Sequence, residues 1–221
     1  MSLTIGSGPL SSDHAGRLSF ALPDRVVVVD PHPRRVRALI GGQVVVDSDD
    51  VKLVHVSGRL PSWAIPAKHV DLHAEPSPDV PDHVVVPWDA VDAWFEEDER
   101  VFVHPKDPYH RVDTFPTSRR VRIALDGVEL AASTRTIALY ETSLPVRYYV
   151  PRADVHLELI ERSATQTECP YKGTADHWSA VIGGRVTPDV AWSYEHHVLR
   201  DAEAVRGHLA FYDDRVDVTA G

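Results

Sequence analysis

The chain has 221 residues, of which 43% are hydrophobic and 25% charged, and its formal net charge is -10. This balance is typical of folded proteins, and the length suits one large domain or two of about 100 residues. The negative charge argues against binding nucleic acid or an anionic membrane surface, since both need clustered Lys and Arg. No membrane span or signal peptide is evident, so we predict a cytoplasmic protein.

The predicted elements are mainly strands. A valine run at residues 25–29 predicts the first strand, and residues 36–46, around Gly41-Gly42, predict a hairpin. Residues 121–131 predict a similar hairpin, and residues 178–186 another one. Short helices are predicted at residues 88–95 and 199–207. Short strands, tight glycine turns and little helix indicate a mainly-β fold with antiparallel sheets.

A sequence pattern repeats within the chain. Arg34-Arg35-Val36-Arg37 recurs as Arg119-Arg120-Val121-Arg122, 85 residues later. The same offset relates Gly42 to Gly127, Ser48 to Ser133, Pro66 to Pro151, Val70 to Val155 and Leu72 to Leu157. Matches that keep their register over such a length predict two tandem copies of one small domain with one short helix each. We expect a flexible arm at residues 1–23, a first copy at 24–115 and a second copy at 116–221.

The second copy carries polar groups that the first copy lacks at the aligned positions. These pairs are Glu141 and Val56, Arg147 and Ser62, Tyr149 and Ala64, and Asp154 and His69. Neighbouring apolar positions keep their chemistry in both copies. We therefore interpret the first copy as a degenerate scaffold and expect the functional site in the second.

The densest polar cluster spans residues 140–151. In a strand, Arg147 and Tyr149 share one face, so Arg147 is a candidate clamp for a carboxylate or phosphate. Glu141 is a candidate acid or base beside it. The structural alternative is that Glu141 and Arg147 simply pair and hold the loop.

A second cluster, residues 167–173, is absent from the first copy. Cys169 precedes Lys172 by three residues, which suits a thiolate stabilised by an ammonium group. Glu141, Cys169 and Lys172 are therefore the candidate catalytic residues, although most single cysteines are buried and inert. The candidate ligand-binding residues are Arg147, Tyr149, Tyr171, Trp178, Trp192 and Tyr194, whose aromatic members have a hydrophobic core as their structural alternative.

We expect neither a metal nor a cofactor. A lone cysteine excludes an internal disulfide and a thiolate-rich zinc site. His196, His197 and His208 come nearest to a histidine cluster, but they have no spacing typical of metal ligands.

Five motifs of the second copy resemble a known family. They occupy residues 147–151, 169–173, 178–184, 191–194 and 210–217, in that order. They resemble the bacterial family catalogued as domain of unknown function number 427, sometimes labelled nucleotidyltransferase-like. The resemblance implies a tent-like domain of two roughly orthogonal antiparallel sheets. It covers nearly all of residues 119–218 and only weakly includes the first copy.

Three functions follow from these features. The first is binding, with or without transformation, of a small polar or anionic molecule in a pocket of the second copy. The alternative is a module that binds a protein or peptide in an aromatic groove without catalysis. Nucleotidyl transfer ranks third, because no Gly-Ser motif with paired aspartates is present to hold two metals. A homodimer is compatible with each of these functions.

Overall fold

The computed structural model describes residues 3–221 and has a mainly-β fold, as predicted. Its strands form five antiparallel sheets, and its helical residues lie in short 3-10 turns. No helix among the described residues has the length and apolar character needed to cross a bilayer. The chain divides into two compact units, one reaching His110 and including Thr142–Leu144, the other comprising Arg111–Glu141 and Pro145–Gly221.

The first unit contains two sheets, in the orders β1-β4-β5-β7-β6 and β3-β2-β8-β9. Its strands are β1 (Val27–His32), β2 (Val36–Ile40), β3 (Gln43–Ser48), β4 (Val51–Val56), β5 (Ser62–Pro66), β6 (Glu75–Pro76), β7 (His83–Val85), β8 (Ala93–Glu96) and β9 (Glu99–Val101). Its 3-10 turns are Ala67–His69 and Trp88–Ala90.

The second unit contains three sheets, in the orders β10-β13-β14, β12-β11-β19 and β15-β16-β17-β18. Its strands are β10 (Val112–Thr117), β11 (Val121–Leu125), β12 (Val128–Ser133), β13 (Thr136–Glu141), β14 (Arg147–Tyr149), β15 (Ile160–Cys169), β16 (Gly173–Ile182), β17 (Arg185–Val198), β18 (Leu209–Phe211) and β19 (Asp217–Ala220). Its 3-10 turns are Arg152–Asp154, Leu157–Leu159 and Arg200–Val205.

The first five strands of each unit occur in the same order and pair in the same way. Strand β1 pairs with β4, and β10 pairs with β13. The hairpin β2–β3 has a bulge after Ala38, and β11–β12 has one after Ile123, which is 85 residues later. The order expected from the sequence repeat therefore occurs in both units. The tandem duplication itself stays our interpretation.

The two predicted helices are shorter than expected. In residues 88–95 the helix is confined to Trp88–Ala90, and strand β8 follows. Alternate residues of β8, Trp94 and Glu96, are buried, and this two-residue period is that of a strand. In residues 199–207 the helix is the 3-10 segment Arg200–Val205, whose buried Ala202 and Val205 have the three-residue spacing of that helix.

One predicted boundary differs from the units of the structure, and the predicted N-terminal arm makes a contact with its own unit. The expected seam at residues 115–116 lies inside β10, which pairs with β13 along its whole length and so belongs to the second unit. The N-terminal arm is attached near its start, since the Thr4 hydroxyl donates to the Val56 carbonyl at 3.2 Å. Met1 and Ser2, part of the same predicted arm, lie outside the described residues.

Each unit has a polar contact just after an equivalent strand, β5 in the first unit and β14 in the second. Asp154 accepts hydrogen bonds from the hydroxyl of Ser133 at 2.6 Å and from two nitrogens of Arg135. In the first unit, His69 Nδ1 lies 2.8 Å from the hydroxyl of Ser48. The first unit has His69 where the second has Asp154, and both residues contact a serine at equivalent positions, Ser48 and Ser133. At this position the first unit has kept a polar group rather than lost it.

The second unit has two hydrophobic cores, and β14 contributes to both. Tyr148 packs against a core that contains Leu130 and Phe211. Its neighbour Tyr149 belongs to a core that contains Trp192 and other residues of the long sheet. Successive strand residues face opposite ways, so one short strand joins the two cores.

Gly173, at the start of β16, is a position that accepts no side chain. Its φ is +104°, and a Cβ there would lie 2.1 Å from the carbonyl oxygen of His197. We expect Gly173→Ala to lower the free energy of unfolding by about 2–5 kcal/mol, because strain and overpacking add. Gly207→Ala is the matched control, with φ +72° and open space around the added carbon. Urea titration measures both variants, and equal losses would contradict the steric argument.

The Asp154 contact predicts a pH dependence of stability. Hydrogen bonds from Arg135 and then Ser133 lower the pKa of Asp154 from 3.8 to about 2. Because the folded pKa is the lower one, this contribution is present above pH 4 and lost as the pH falls from about 4 to about 2. In Arg135→Met and in Asp154→Asn, the melting temperature should therefore fall less steeply with decreasing pH in this range than it does in the wild type. Thermal unfolding at a series of pH values measures this. A variant whose melting temperature falls as steeply as that of the wild type would contradict this assignment.

Candidate functional site

A buried ion pair joins the end of β13 to the turn between β15 and β16. Lys172 Nζ donates to Glu141 Oε2, and the two side chains are only 11% and 8% exposed. The backbone holds this turn in place, since Leu199 N donates to the Lys172 carbonyl at 3.0 Å. Two of the predicted catalytic residues are therefore direct partners.

An aromatic cluster of Tyr149, Trp192, Tyr194 and Tyr212 lies beside this pair. Trp192 Nε1 donates to the fully buried hydroxyl of Tyr149 at 3.0 Å, and the two rings meet edge to face. The ring centroids of Trp192 and Tyr212 are 4.4 Å apart. Strands β14 and β17 supply the first three residues, and Tyr212 directly follows β18.

Burial dominates the electrostatics of the aromatic cluster. It raises the pKa of Tyr149 and of Tyr194 far above the ordinary value of a phenol. Glu141 and Cys169 raise both pKa values further, while the hydrogen bond from Trp192 opposes the change at Tyr149. Both phenols therefore keep their protons even at a strongly alkaline pH. Glu141 and Cys169 therefore lie close enough to the two tyrosines to influence their ionisation.

Arg147 reaches the same cluster from β14. Its guanidinium carbon lies over the Trp192 ring, 5.9 Å from the ring centroid, while the hydroxyl of Tyr149 contacts the Nε1 edge of the same ring. Its partner is Asp213, at 2.6 Å, and this contact lowers the pKa of that carboxyl group. The alternative in which Arg147 pairs with Glu141 is therefore wrong, because Lys172 and Asp213 provide the opposite charges.

A cavity of about 200 Å³ opens beside Arg147 and Asp213. Apart from these two charged side chains its walls are mostly apolar. The lining residues are Ile123, Pro145, Val146, Arg147, Tyr148, Phe211, Asp213, Val218 and Ala220.

Two predicted ligand-binding residues, Trp178 and Tyr171, are not members of the aromatic cluster. Trp178 packs against the other core, where Arg152 lies 4.6 Å from its ring centroid and Ser193 accepts its indole hydrogen. This placement favours the core interpretation that the sequence left open for Trp178. Tyr171 is half-buried in the turn next to Lys172.

Sequence reasoning missed the pairing of Asp213 with Arg147. The two residues are far apart in the chain, and their spacing contains no signal. The pairing of β17 with β18 brings the segment around Tyr212 and Asp213 to β14, because Val150 and Leu209 also form a bridge. Predicting this contact would have required knowing which strands pair in the sheets.

One group of possible metal ligands is present among residues 3–221. Oxygen or nitrogen atoms of Asp176, Glu195 and His196 lie within 4.8 Å of one another. Arg162 already pairs with Asp176 at 2.5 Å, and Arg152 pairs with Glu195. Since these cations neutralise the carboxylates, we assign no metal to the group.

Residues 113–220 match the family model described as a domain of unknown function, DUF427. The second unit belongs to the DUF427 family. The match starts within β10 and ends at the last residue of β19, so this domain includes the ion pair, the aromatic cluster and the cavity. The resemblance seen in the sequence is thereby confirmed for the second unit. The search of curated proteins gives no match to the chain.

The buried ion pair of the DUF427 domain predicts a large effect of mutation. Lys172→Met should lower the free energy of unfolding by about 3–5 kcal/mol, because the Glu141 carboxylate stays buried without the lysine charge. The double variant Lys172→Met/Glu141→Gln should recover at least half of that loss. Urea titration measures each variant.

The matched control for this experiment is Arg122→Met, which breaks the exposed pair of Arg122 and Glu129. Its cost should stay within about 1 kcal/mol. A Lys172 variant that loses no more than this control would show that the buried pair is not important for stability.

Proposed function

We propose that the DUF427 domain binds a small molecule that has an anionic group and an apolar body, with Arg147 as the anion contact. The observation that carries this proposal is the position of Arg147 at the cavity, paired with a carboxylate that is itself half-exposed. The side chain of Arg147 is 25% exposed and that of Asp213 is 49% exposed.

The difference in burial between the two ion pairs decides which cation is available to a ligand. An exposed pair contributes about 0–1 kcal/mol, so a ligand carboxylate can replace Asp213 at little cost. Separating a buried pair costs about 3–5 kcal/mol, which keeps Lys172 bound to Glu141. Arg147 is therefore the cation that can exchange its partner.

The cavity walls indicate the rest of the ligand. Tyr148 and Phe211 supply aromatic surface, and Val146 and Val218 supply aliphatic surface. The volume of about 200 Å³ exceeds the roughly 150 Å³ of a protein cavity that holds benzene. A single ring or a branched aliphatic chain with a carboxylate fits this space and this charge.

The aromatic cluster supports the contact rather than forming an open surface. Trp192 and Tyr194 are 8% and 4% exposed, so they offer no groove to a peptide. This burial favours a small-molecule site over the interaction module. The hydrogen bond from Trp192 to Tyr149 fixes the ring over which Arg147 lies, which makes these two aromatic residues positioning residues in the proposal.

Catalysis by Glu141, Cys169 and Lys172 stays a prediction. The buried Glu141 and the partly exposed Cys169 both act on the ionisation of Tyr149 and Tyr194, and Lys172 is the ion-pair partner of Glu141. A reactive thiol would react quickly with an alkylating reagent near neutral pH, whereas a structural one would react slowly.

Benzoate and its uncharged isostere benzamide test the proposed binding. Titration calorimetry should detect benzoate but not benzamide, and Arg147→Ala should weaken benzoate binding by at least about tenfold. Asp213→Asn should strengthen it, because the internal competitor is removed. Arg122→Ala, which removes an exposed arginine outside the cavity, is the control and should leave binding unchanged. Benzoate binding that is equal in the wild type and Arg147→Ala would overturn the proposal.

A further inference from the structure

The first unit has a cavity at the place in its fold that the Arg147 cavity occupies in the second. The segment Leu60, Pro61, Ser62 and Trp63 leads into β5 as residues 145–148 lead into β14. On the neighbouring sheet, Trp94 pairs with Ala38 of β2, as Val218 pairs with Ile123 of β11. In each unit, a pocket therefore lies between the same two structural elements.

The chemistry of the first-unit pocket is different. Its volume is about 240 Å³, and no Asp, Glu, Lys or Arg lines it. The lining residues are Leu60, Pro61, Ser62, Trp63, Val85, Val86, Pro87, Trp88, Trp94, Val103, His104 and Pro105. Arg147 has no counterpart here, because Ser62 occupies the equivalent position.

Three tryptophans form one wall of this pocket. The ring centroids of Trp63, Trp88 and Trp94 are 5.2 to 5.9 Å apart, and the rings of Trp88 and Trp94 are stacked at 24°. Trp94 Nε1 donates to the carbonyl of Trp88 at 3.1 Å, which fixes the arrangement. Trp63 and Trp94 are buried, whereas Trp88 is half-exposed and presents its ring.

A layer of polar residues supports the tryptophan wall. His32 packs on Trp63 with a centroid distance of 6.0 Å, and its Nε2 lies 3.3 Å from Glu96. Arg34 donates to the other oxygen of Glu96 at 2.7 Å. The charges of Arg34 and Glu96 therefore balance each other.

His104 is the only titratable side chain that lines the pocket. Its Nδ1 lies 2.8 Å from the carbonyl of Pro105, so we assign the ring proton to this nitrogen. Burial lowers the pKa of His104, which keeps the imidazole neutral at pH 7. The pocket therefore offers no charge to a ligand.

We propose that the first-unit pocket binds an uncharged planar ring compound of bicyclic size, stacked on the tryptophan wall. Aromatic rings gain most by stacking on other aromatic rings, and an uncharged ligand loses little hydration in an uncharged pocket. A cavity of roughly 150 Å³ holds benzene, so about 240 Å³ suits a second fused ring. This site and its ligand class are distinct from those proposed for the DUF427 domain.

Quinoline, which has no indole hydrogen of its own, is the probe. The chain has five tryptophans, three in the first unit and two in the second, and each gives one indole N–H signal in a ¹⁵N-labelled sample. Titration of the full chain should shift the signals of Trp63, Trp88 and Trp94 and leave those of Trp178 and Trp192 in place. Unchanged signals, or shifts confined to Trp178 and Trp192, would overturn the proposal.

Two variants locate the site. Trp88→Ala removes the half-exposed ring and should weaken quinoline binding by about tenfold, while the remaining indole signals stay dispersed. Trp178→Phe is the control, which also lacks one tryptophan but should bind quinoline as the wild type does. Equal affinity in Trp88→Ala and the wild type would contradict stacking at this wall.

N-methylquinolinium tests the charge of the ligand. It has the same fused rings as quinoline with a fixed positive charge. Because no carboxylate lines the pocket to compensate a cation, we expect it to bind at least about tenfold more weakly. Equal or tighter binding of the cation would show that a cation–π interaction governs the pocket and would overturn the assignment of an uncharged ligand.

Discussion

The hydrogen bond from the indole of Trp192 to the hydroxyl of Tyr149 links two sheets of the DUF427 domain. Tyr149 ends β14, and Trp192 lies in the middle of β17, so the bond connects the small sheet to the long one. It lies in a buried environment where an unmade bond would cost about 1–3 kcal/mol. The position of Arg147 over the same indole ring follows from it, because Arg147 and Tyr149 share one face of β14.

Burial separates the charged groups of this domain into two kinds. Lys172 and Glu141 are almost fully enclosed, and their pairing belongs to the architecture. Arg147 and Asp213 lie at the wall of a cavity with part of their surface in water. Under the proposed function, acidic and basic side chains therefore serve structure in one place and recognition in the other. Their distance to solvent, rather than their chemistry, distinguishes the two roles.

Much of the strand pattern could be predicted from the sequence. The Gly41-Gly42 and Gly183-Gly184 turns mark hairpins that the structure contains, since positive φ angles at these glycines suit tight turns. The segment at residues 88–95 was harder to assign. There, a short apolar stretch fits a helix as well as a strand, and pairing with β2 decides in favour of the strand at Ala93–Glu96.

The site was predictable only in part. Local alternation placed Arg147 and Tyr149 on one face, but partners such as Asp213 depend on sheet topology. The interpretation of the first unit as a degenerate scaffold did not anticipate that this unit has buried polar groups of its own. His55, for example, lies 3.4 Å from Asp30 and 3.5 Å from Asp107 inside the first unit. A position-by-position comparison of two predicted copies cannot detect polar groups that lie on strands outside the aligned positions.

The partial exposure of Asp213 has a consequence for selectivity under the proposed function. A carboxylate tethered next to its own guanidinium behaves as a resident competitor, with an effective concentration on the order of millimolar. Abundant ions that bind arginine weakly, such as chloride, therefore gain little occupancy. Only a molecule that also fills the apolar part of the cavity displaces this carboxylate. Charge therefore attracts anions to the site, and the shape of the cavity decides which of them bind.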